Sequence, residues 1–192
     1  MSKEKTSIRI RKLAKLEKNN CYQAGIKKEI KKALKTSKGL NSDILNKALK
    51  CSPNFIGCFA ENEIKSFQFG SLPCFMIVNL DSSYMKGSHW IALGFFKNKI
   101  EVFDSLGFDI FNWPRVPCSL IRLLRKTAVS KRMRISKRLQ PNSSSLCGLY
   151  SVFYVKYRPH FSFKRLQNLF SANLSRNDSI LLKYFLYYSH KI

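Results

Sequence analysis

Acidic residues are scarce in this chain of 192 residues. Eleven Asp and Glu face 35 Lys and Arg, which gives a formal net charge of +24 and a pI near 10.1. A field of this size attracts polyanions, so we expect contact with nucleic acid, although it says little about the fold. A solvated basic surface without a partner is the alternative.

Closely spaced cysteine pairs and long apolar runs are also absent. The six cysteines include no C-x-x-C pair, which argues against a zinc finger or zinc ribbon. The N-terminal stretch MSKEKTSIRIRK lacks the apolar segment of a signal peptide. No apolar run approaches the ~20 residues that span a bilayer. We therefore expect an intracellular protein with mostly reduced thiols, neither secreted nor membrane-spanning.

The composition changes near residue 50. Residues 1–50 hold fifteen Lys and Arg against four acids and a single aromatic residue, Tyr22. They predict a basic, partly helical N-terminal arm, in which the stretch Asn41-Ser42-Asp43 could cap a helix through Leu49. A disordered tail is the alternative. Residues 51–192 are predicted to form the folded domain.

The domain mixes strand and helix patterns. Apolar or alternating runs at 72–80, 89–96, 99–103 and 132–135 predict strands. Helical patterns cover 119–126, 146–157 and 178–188. This order of elements predicts an α+β fold.

Cys147 lies where a Pro-Asn-Ser-Ser-Ser loop at 141–145 runs into an apolar helix. The start of a helix favours a thiolate, which is the nucleophile in acyl transfer. Gly148 would leave room for a substrate backbone. The amide of Gln140, seven residues upstream, could form an oxyanion hole with the backbone N–H of Cys147. An inert buried cysteine is the alternative.

His89 is the one histidine that precedes this cysteine, and it opens a predicted strand. If residues 97–98 form a two-residue turn, residue 89 lies opposite residue 106, and Asp104 lies diagonal to His89 on the same face. Asp104 would then accept the Nδ1 proton of the imidazole and orient the ring. A structural histidine and a carboxylate that caps a turn are the alternatives.

The chain order His, Asp, Gln, Cys, with Gln seven residues before Cys, resembles that of the adenovirus endoproteases (adenains) and, more distantly, the SUMO-specific proteases of the same clan. The resemblance covers roughly residues 51–188. The most specific stretches are GSHWIA at 87–92 and QPNSSSLCGL at 140–149, and the supporting ones are NFIGCF at 54–59, PCFMIVN at 73–79, FDSLGF at 103–108 and RNDSILLKYFL at 176–186.

The resemblance implies an adenain-like fold, with a central mixed sheet flanked by helices and a papain-like site in permuted chain order. It also implies the catalytic roles: Cys147 as nucleophile, His89 as base, Asp104 as third member where adenain has Glu, and Gln140 in the oxyanion hole.

For function, the resemblance implies a monomeric cysteine endopeptidase that cleaves viral precursor proteins of the capsid or core at Gly-containing sites during virion maturation. Its location would be the virion and the host nucleus or cytoplasm. The source would be a divergent DNA virus or a Maverick/Polinton-type element. The chemistry would need no cofactor, and DNA would act as an activator. A disulfide-linked peptide cofactor stays open, because Cys118, the nearest cysteine, does not match adenain's spacing. The alternatives are a ubiquitin or SUMO-like isopeptidase, and a DNA-binding protein on an inactive protease fold.

Residues 115–138 carry nine Lys and Arg and no acid. They supply the candidate contacts to DNA phosphates. A nuclear-import signal or a solvated face is the alternative. The predicted contacts are Arg122, Arg125, Lys126, Lys131, Arg132, Arg134, Lys137 and Arg138.

Overall fold

A computed structural model of the chain describes residues 28, 30–32, 39–64 and 69–186. Most of the predicted arm, residues 1–50, lies outside these residues. Short 3-10 turns at Glu61–Glu63 and Leu174–Arg176 supplement the regular elements. Those elements are α1 Ser42–Leu49, β1 Phe55–Ala60, β2 Cys74–Asn79, β3 Trp90–Phe95, β4 Lys99–Phe103, α2 Cys118–Thr127, β5 Arg132–Ile135, α3 Cys147–Tyr157, α4 Phe163–Gln167 and α5 Asn177–Leu186.

The strands form one five-stranded sheet in the order β1-β2-β3-β4-β5. The pairs β1–β2 and β4–β5 are parallel, whereas β2–β3 and β3–β4 are antiparallel. Every residue of β2 and β3 is buried, because apolar clusters cover both faces of the sheet. This explains why these two strands read as continuous apolar runs. The predicted α+β fold with a central mixed sheet flanked by helices is confirmed.

The hairpin of β3 and β4 has the register that a turn at residues 97–98 predicts. Ala92 pairs with Phe103, and the following pairs continue this register to the turn. A slip of one residue would have sent Asp104 to the opposite face of the sheet. The observed register instead brings Asp104 to the face of His89, diagonal to it.

Helix α3 is buried along its whole length, from Cys147 to Tyr157. Its C-terminal end is tied to β4 by Arg158, which donates two hydrogen bonds to the carboxylate of Glu101, at 2.5 and 2.9 Å. The hydroxyl of Tyr154 donates to the same carboxylate at 3.0 Å. Because Glu101 is fully buried, these donors replace the water that an ionised carboxylate otherwise requires.

The last part of the predicted arm packs in the same core as helix α3. The side chain of Asn41, one of the three predicted capping residues, accepts a hydrogen bond from the backbone N–H of Ile44 at 3.0 Å and caps α1. Leu40, Leu45 and Leu49 are buried in this core. Residues 40–49 therefore contribute side chains to the core of the folded domain. The boundary between arm and domain at residue 50 stays a prediction. Among the described residues, no helix has the length and apolar character that crossing a membrane requires.

Candidate active site

A cleft of about 1000 Å³ opens at one edge of the sheet. Its walls include the last residues of β1 and β2, the first residue of β3 and the start of α1 and α3. His89, Gln140 and Cys147 all line this cleft. Asp104 lies behind His89 and is 2% exposed. The structure therefore brings together the four residues that the sequence singled out.

Asp104 bonds the imidazole through Nε2, at 2.7 Å from Oδ1. The prediction that Asp104 would take the Nδ1 proton is therefore wrong. With Nε2 engaged by the carboxylate, Nδ1 is the ring nitrogen left to face the thiol of Cys147. The carboxylate is itself held in place, because Oδ1 accepts the N–H of Leu106 at 2.9 Å and Oδ2 accepts that of Phe108 at 3.0 Å.

The surroundings of His89 favour its charged form. Burial is the largest influence and works against the imidazolium, but the hydrogen bonds to Asp104 and Cys147 and the negative charge of both groups outweigh it. Together they raise the pKa of His89 from 6.5 to about 9. At neutral pH the ring therefore carries a proton. An imidazolium between a carboxylate and a sulfur is the arrangement of a thiolate–imidazolium pair.

Two aromatic rings flank the imidazole edge-on. Phe108 and Trp113 stack on each other with centroids 4.0 Å apart, and their centroids lie 6.0 and 6.4 Å from that of His89. Gly107 makes this loop possible, because its φ is +67° and a Cβ there would lie 2.5 Å from the backbone nitrogen of Arg138. This aromatic pair was not among the predicted site residues.

Cys147 is the first residue of α3, as predicted, and is 8% exposed. The first N–H groups of a helix have no partner within the helix, so they are available to an anion in the cleft. The proposed role of Gly148 is wrong. A Cβ at this glycine would meet Leu45 at 3.3 Å, Trp90 at 3.3 Å and Leu40 at 3.4 Å. Gly148 therefore allows close packing beside Cys147 rather than access for substrate.

Gln140 is buried and its side chain is fixed at both ends. Nε2 donates to the carbonyl of Ser144 at 2.7 Å, and Oε1 accepts from the hydroxyl of Ser105 at 2.6 Å. Ser105 was not among the predicted site residues, although it directly follows Asp104 in the FDSLGF stretch. The second N–H of the Gln140 amide is left for a ligand in the cleft.

The predicted phosphate contacts do not form part of the cleft wall. All eight belong to α2, β5 and the segments beside β5, and none of them lines the cleft. Seven are exposed and Lys131 is half-buried. Arg138 also donates to the backbone carbonyl of Gln140 at 3.3 Å. The exposed group consists of Arg122, Arg125, Lys126, Arg132, Arg134, Lys137 and Arg138.

The chain is similar to known proteins in sequence and in fold. The family model described as adenovirus endoprotease matches residues 55–177. The crystal structure of the ASFV pS273R protease is similar, with a TM-score of 0.50 and 20% identity. The match covers 77% of this chain and 66% of that protease. The SUMO protease Ulp1 is similar with a TM-score of 0.42 and 18% identity, over 98% of this chain and 97% of that one. A comparison with curated proteins finds no match.

Proposed function

The chain belongs to the adenovirus endoprotease family of cysteine endopeptidases, and from this premise we propose that it cleaves viral precursor proteins of the capsid or core during virion maturation. We assign the nucleophile to Cys147, the acid–base role to His89 and one oxyanion donor to Gln140. Asp104 is the residue that positions His89. The observation that carries the proposal is the buried 2.7 Å bond between Asp104 and His89, beside a cysteine at the first position of a buried helix.

The chemistry follows from these positions. The thiolate of Cys147 attacks the peptide carbonyl, and the negative charge that develops on the carbonyl oxygen is met by the free Nε2–H of Gln140 and the backbone N–H of Cys147. The His89 imidazolium gives its proton to the leaving amine as the C–N bond breaks. Neutral His89 then takes a proton from water as the water attacks the thioester, and breakage of the C–S bond releases the carboxylic acid and the Cys147 thiolate, which restores the thiolate–imidazolium pair. Peptide hydrolysis by such a site needs no cofactor.

We also propose that DNA stimulates this activity, in the virion and the host nucleus. The support is the net charge of +24 and the exposed basic residues of α2 and β5. Because these residues lie outside the cleft, bound DNA would leave the cleft open to a protein substrate. In a plot of the logarithm of the binding constant against the logarithm of the salt concentration, each phosphate neutralised by a basic residue makes the slope more negative by about 0.9.

Cleavage of a library of Gly-containing peptides by the wild type and by Cys147→Ala tests the endopeptidase. The assay is run with and without duplex DNA, at low and moderate salt. Fusions of ubiquitin and SUMO serve as a second substrate class. We expect the wild type to cut near glycine, the variant to be inactive, and DNA to raise the rate at low salt. Arg132→Gln/Arg134→Gln should reduce the DNA effect without changing the rate in its absence.

Three outcomes would redirect the proposal. Cleavage of the modifier fusions but not of the peptides would indicate an isopeptidase. Tight DNA binding by an inactive wild type would indicate a DNA-binding protein on an inactive protease fold. Equal cleavage by the wild type and Cys147→Ala would remove Cys147 from the nucleophile's role.

A further inference from the structure

Two consecutive residues directly after β4 bond two different side chains of the site, the imidazole of His89 and the amide of Gln140. Asp104 bonds Nε2 of His89 at 2.7 Å, and the hydroxyl of Ser105 donates to Oε1 of Gln140 at 2.6 Å. Ser105 and Gln140 are each 1% exposed. We propose that Ser105 is a positioning residue that orients the Gln140 amide toward the developing oxyanion. This inference rests on the proposed function.

Ser105 also fixes the main chain of Gln140. Its backbone carbonyl accepts the N–H groups of both Leu139 and Gln140, each at 2.8 Å. Ser105 therefore holds both the backbone and the side chain of Gln140. Because Ser105 follows Asp104 directly, any displacement of β4 moves the support of the imidazole and the support of the amide together.

The partners of the Gln140 amide determine which way it faces. The carbonyl of Ser144 can only accept a hydrogen bond, so it requires Nε2, and the Nε2–O distance is 2.7 Å. A flipped amide would place Oε1 against that carbonyl oxygen, which brings two acceptors together. With Nε2 facing Ser144, Oε1 needs a donor in a buried position, and the hydroxyl of Ser105 supplies it. The second N–H of Nε2 is then left for the oxyanion.

Loss of the Ser105 hydroxyl should misdirect this N–H. In Ser105→Ala the buried Oε1 of Gln140 has no donor, which is an unfavourable state that the side chain relieves by rotating. Losing a whole oxyanion donor costs ~10²–10³ in rate. Misdirecting one should cost less, so we expect kcat to fall by about tenfold. The KM should change by less than about twofold, because the donor acts mainly in the transition state.

The experiment measures two reactions of Cys147 side by side. Peptide cleavage develops an oxyanion, whereas alkylation by iodoacetamide forms the C–S bond and expels iodide without one. The folded protein is alkylated at a series of pH values, and mass spectrometry of the peptide that contains Cys147 gives the rate at each pH. This rate therefore reports the thiolate–imidazolium pair alone. For Ser105→Ala we expect lower kcat and an unchanged alkylation profile. Ser119→Ala is the matched control, since it removes a buried hydroxyl that donates to Glu61 at 2.7 Å and does not line the cleft.

A double-mutant cycle tests whether Ser105 acts through Gln140. In the Gln140→Ala background, Ser105→Ala should cause no further loss of kcat, because the group that it orients is gone. Ser105→Cys keeps a weak donor of similar shape and should give a kcat between those of Ser105→Ala and the wild type. If alanine is not tolerated at this position, Ser105→Cys takes its place in both measurements.

The inference is overturned if Ser105→Ala cleaves as fast as an active wild type, if its loss adds to that of Gln140→Ala, or if its alkylation profile shifts. The last result would show that Ser105 acts on His89 through Asp104. A wild type that cleaves nothing is a different result, because it overturns the proposed function and this inference with it.

Discussion

Replacing Asp104 by Asn tests the charge balance that keeps His89 protonated. The rise in the His89 pKa from 6.5 to about 9 corresponds to about 3 kcal/mol in favour of the imidazolium. Asp104 supplies both a hydrogen bond and a negative charge to this balance, Cys147 supplies the remainder, and burial opposes them. Without the Asp104 carboxylate only Cys147 would oppose burial, so the pKa of His89 should fall.

The direction of the pH effect follows from the sign of this shift. A histidine whose pKa is raised by folding stabilises the fold fully below its unfolded pKa of 6.5, and this contribution is lost as the pH rises toward about 9. Activity should fall over the same upper range, because the leaving amine needs the imidazolium proton. The wild-type kcat/KM should therefore decline on the alkaline side with an apparent pKa of about 9.

The assay is the pH profile of kcat/KM together with an NMR titration of His89. In Asp104→Asn we expect the alkaline decline to begin more than about one pH unit lower. Cys147→Ala should also lower the pKa of His89, because it removes the charge and hydrogen bond of the sulfur. Asp109→Asn is the matched control, since it removes an exposed carboxylate of the same loop that bonds Phe111 and Asn112 instead. A decline that stays near pH 9 in Asp104→Asn would show that the Asp104 carboxylate does not raise the pKa of His89.

Three further substitutions test the site and its support. Gln140→Ala should lower kcat by ~10²–10³ with little change in KM, because it removes an oxyanion donor; unchanged kcat in steady-state assays would exclude this role. Glu101→Gln should lower the free energy of unfolding by about 3–5 kcal/mol, because it leaves the charge of Arg158 without its buried partner. Urea denaturation measures this loss, and a loss below about 1 kcal/mol would contradict the prediction. Leu45→Ala should lower the free energy of unfolding by about 2–5 kcal/mol in the same assay, because Leu45 is fully buried. Lys47→Ala, on the exposed face of the same helix, should lower it little, and equal losses would contradict the packing of α1.

The geometry of the hairpin was predictable because it depends on local information. A two-residue turn at 97–98 fixes the register of both strands, and the register alone determines which side chains share a face. The diagonal relation of His89 and Asp104 therefore followed from counting residues. The choice of ring nitrogen did not follow, because it depends on the path of the loop after Asp104, where the N–H groups of Leu106 and Phe108 hold the carboxylate.

Contacts between segments that are distant in the chain could not be predicted from the sequence pattern. Gly148 beside a nucleophile suggested access for substrate, yet Leu40 and Leu45 from about 100 residues earlier pack over it. Leu40 also accepts a hydrogen bond from the indole N–H of Trp90 at 2.8 Å. The basic composition of residues 1–50 hid this core contribution, because fifteen Lys and Arg outnumber the few apolar residues that are buried. These buried residues are Ile30, Leu40, Leu45 and Leu49.

Cys147 and His89, which we propose as nucleophile and base, are held by two elements of one core, and this links activity to stability. Helix α3 begins at Cys147 and packs on β3, which directly follows His89, and the hydroxyl of Ser151 donates to the carbonyl of Trp90 at 3.3 Å between them. At its other end, Arg158 ties the same helix to Glu101 in β4, the strand that leads into Asp104. A change in either anchor would shift the sulfur relative to the imidazole. Variants that loosen this core should therefore lose the raised pKa of His89 before they unfold.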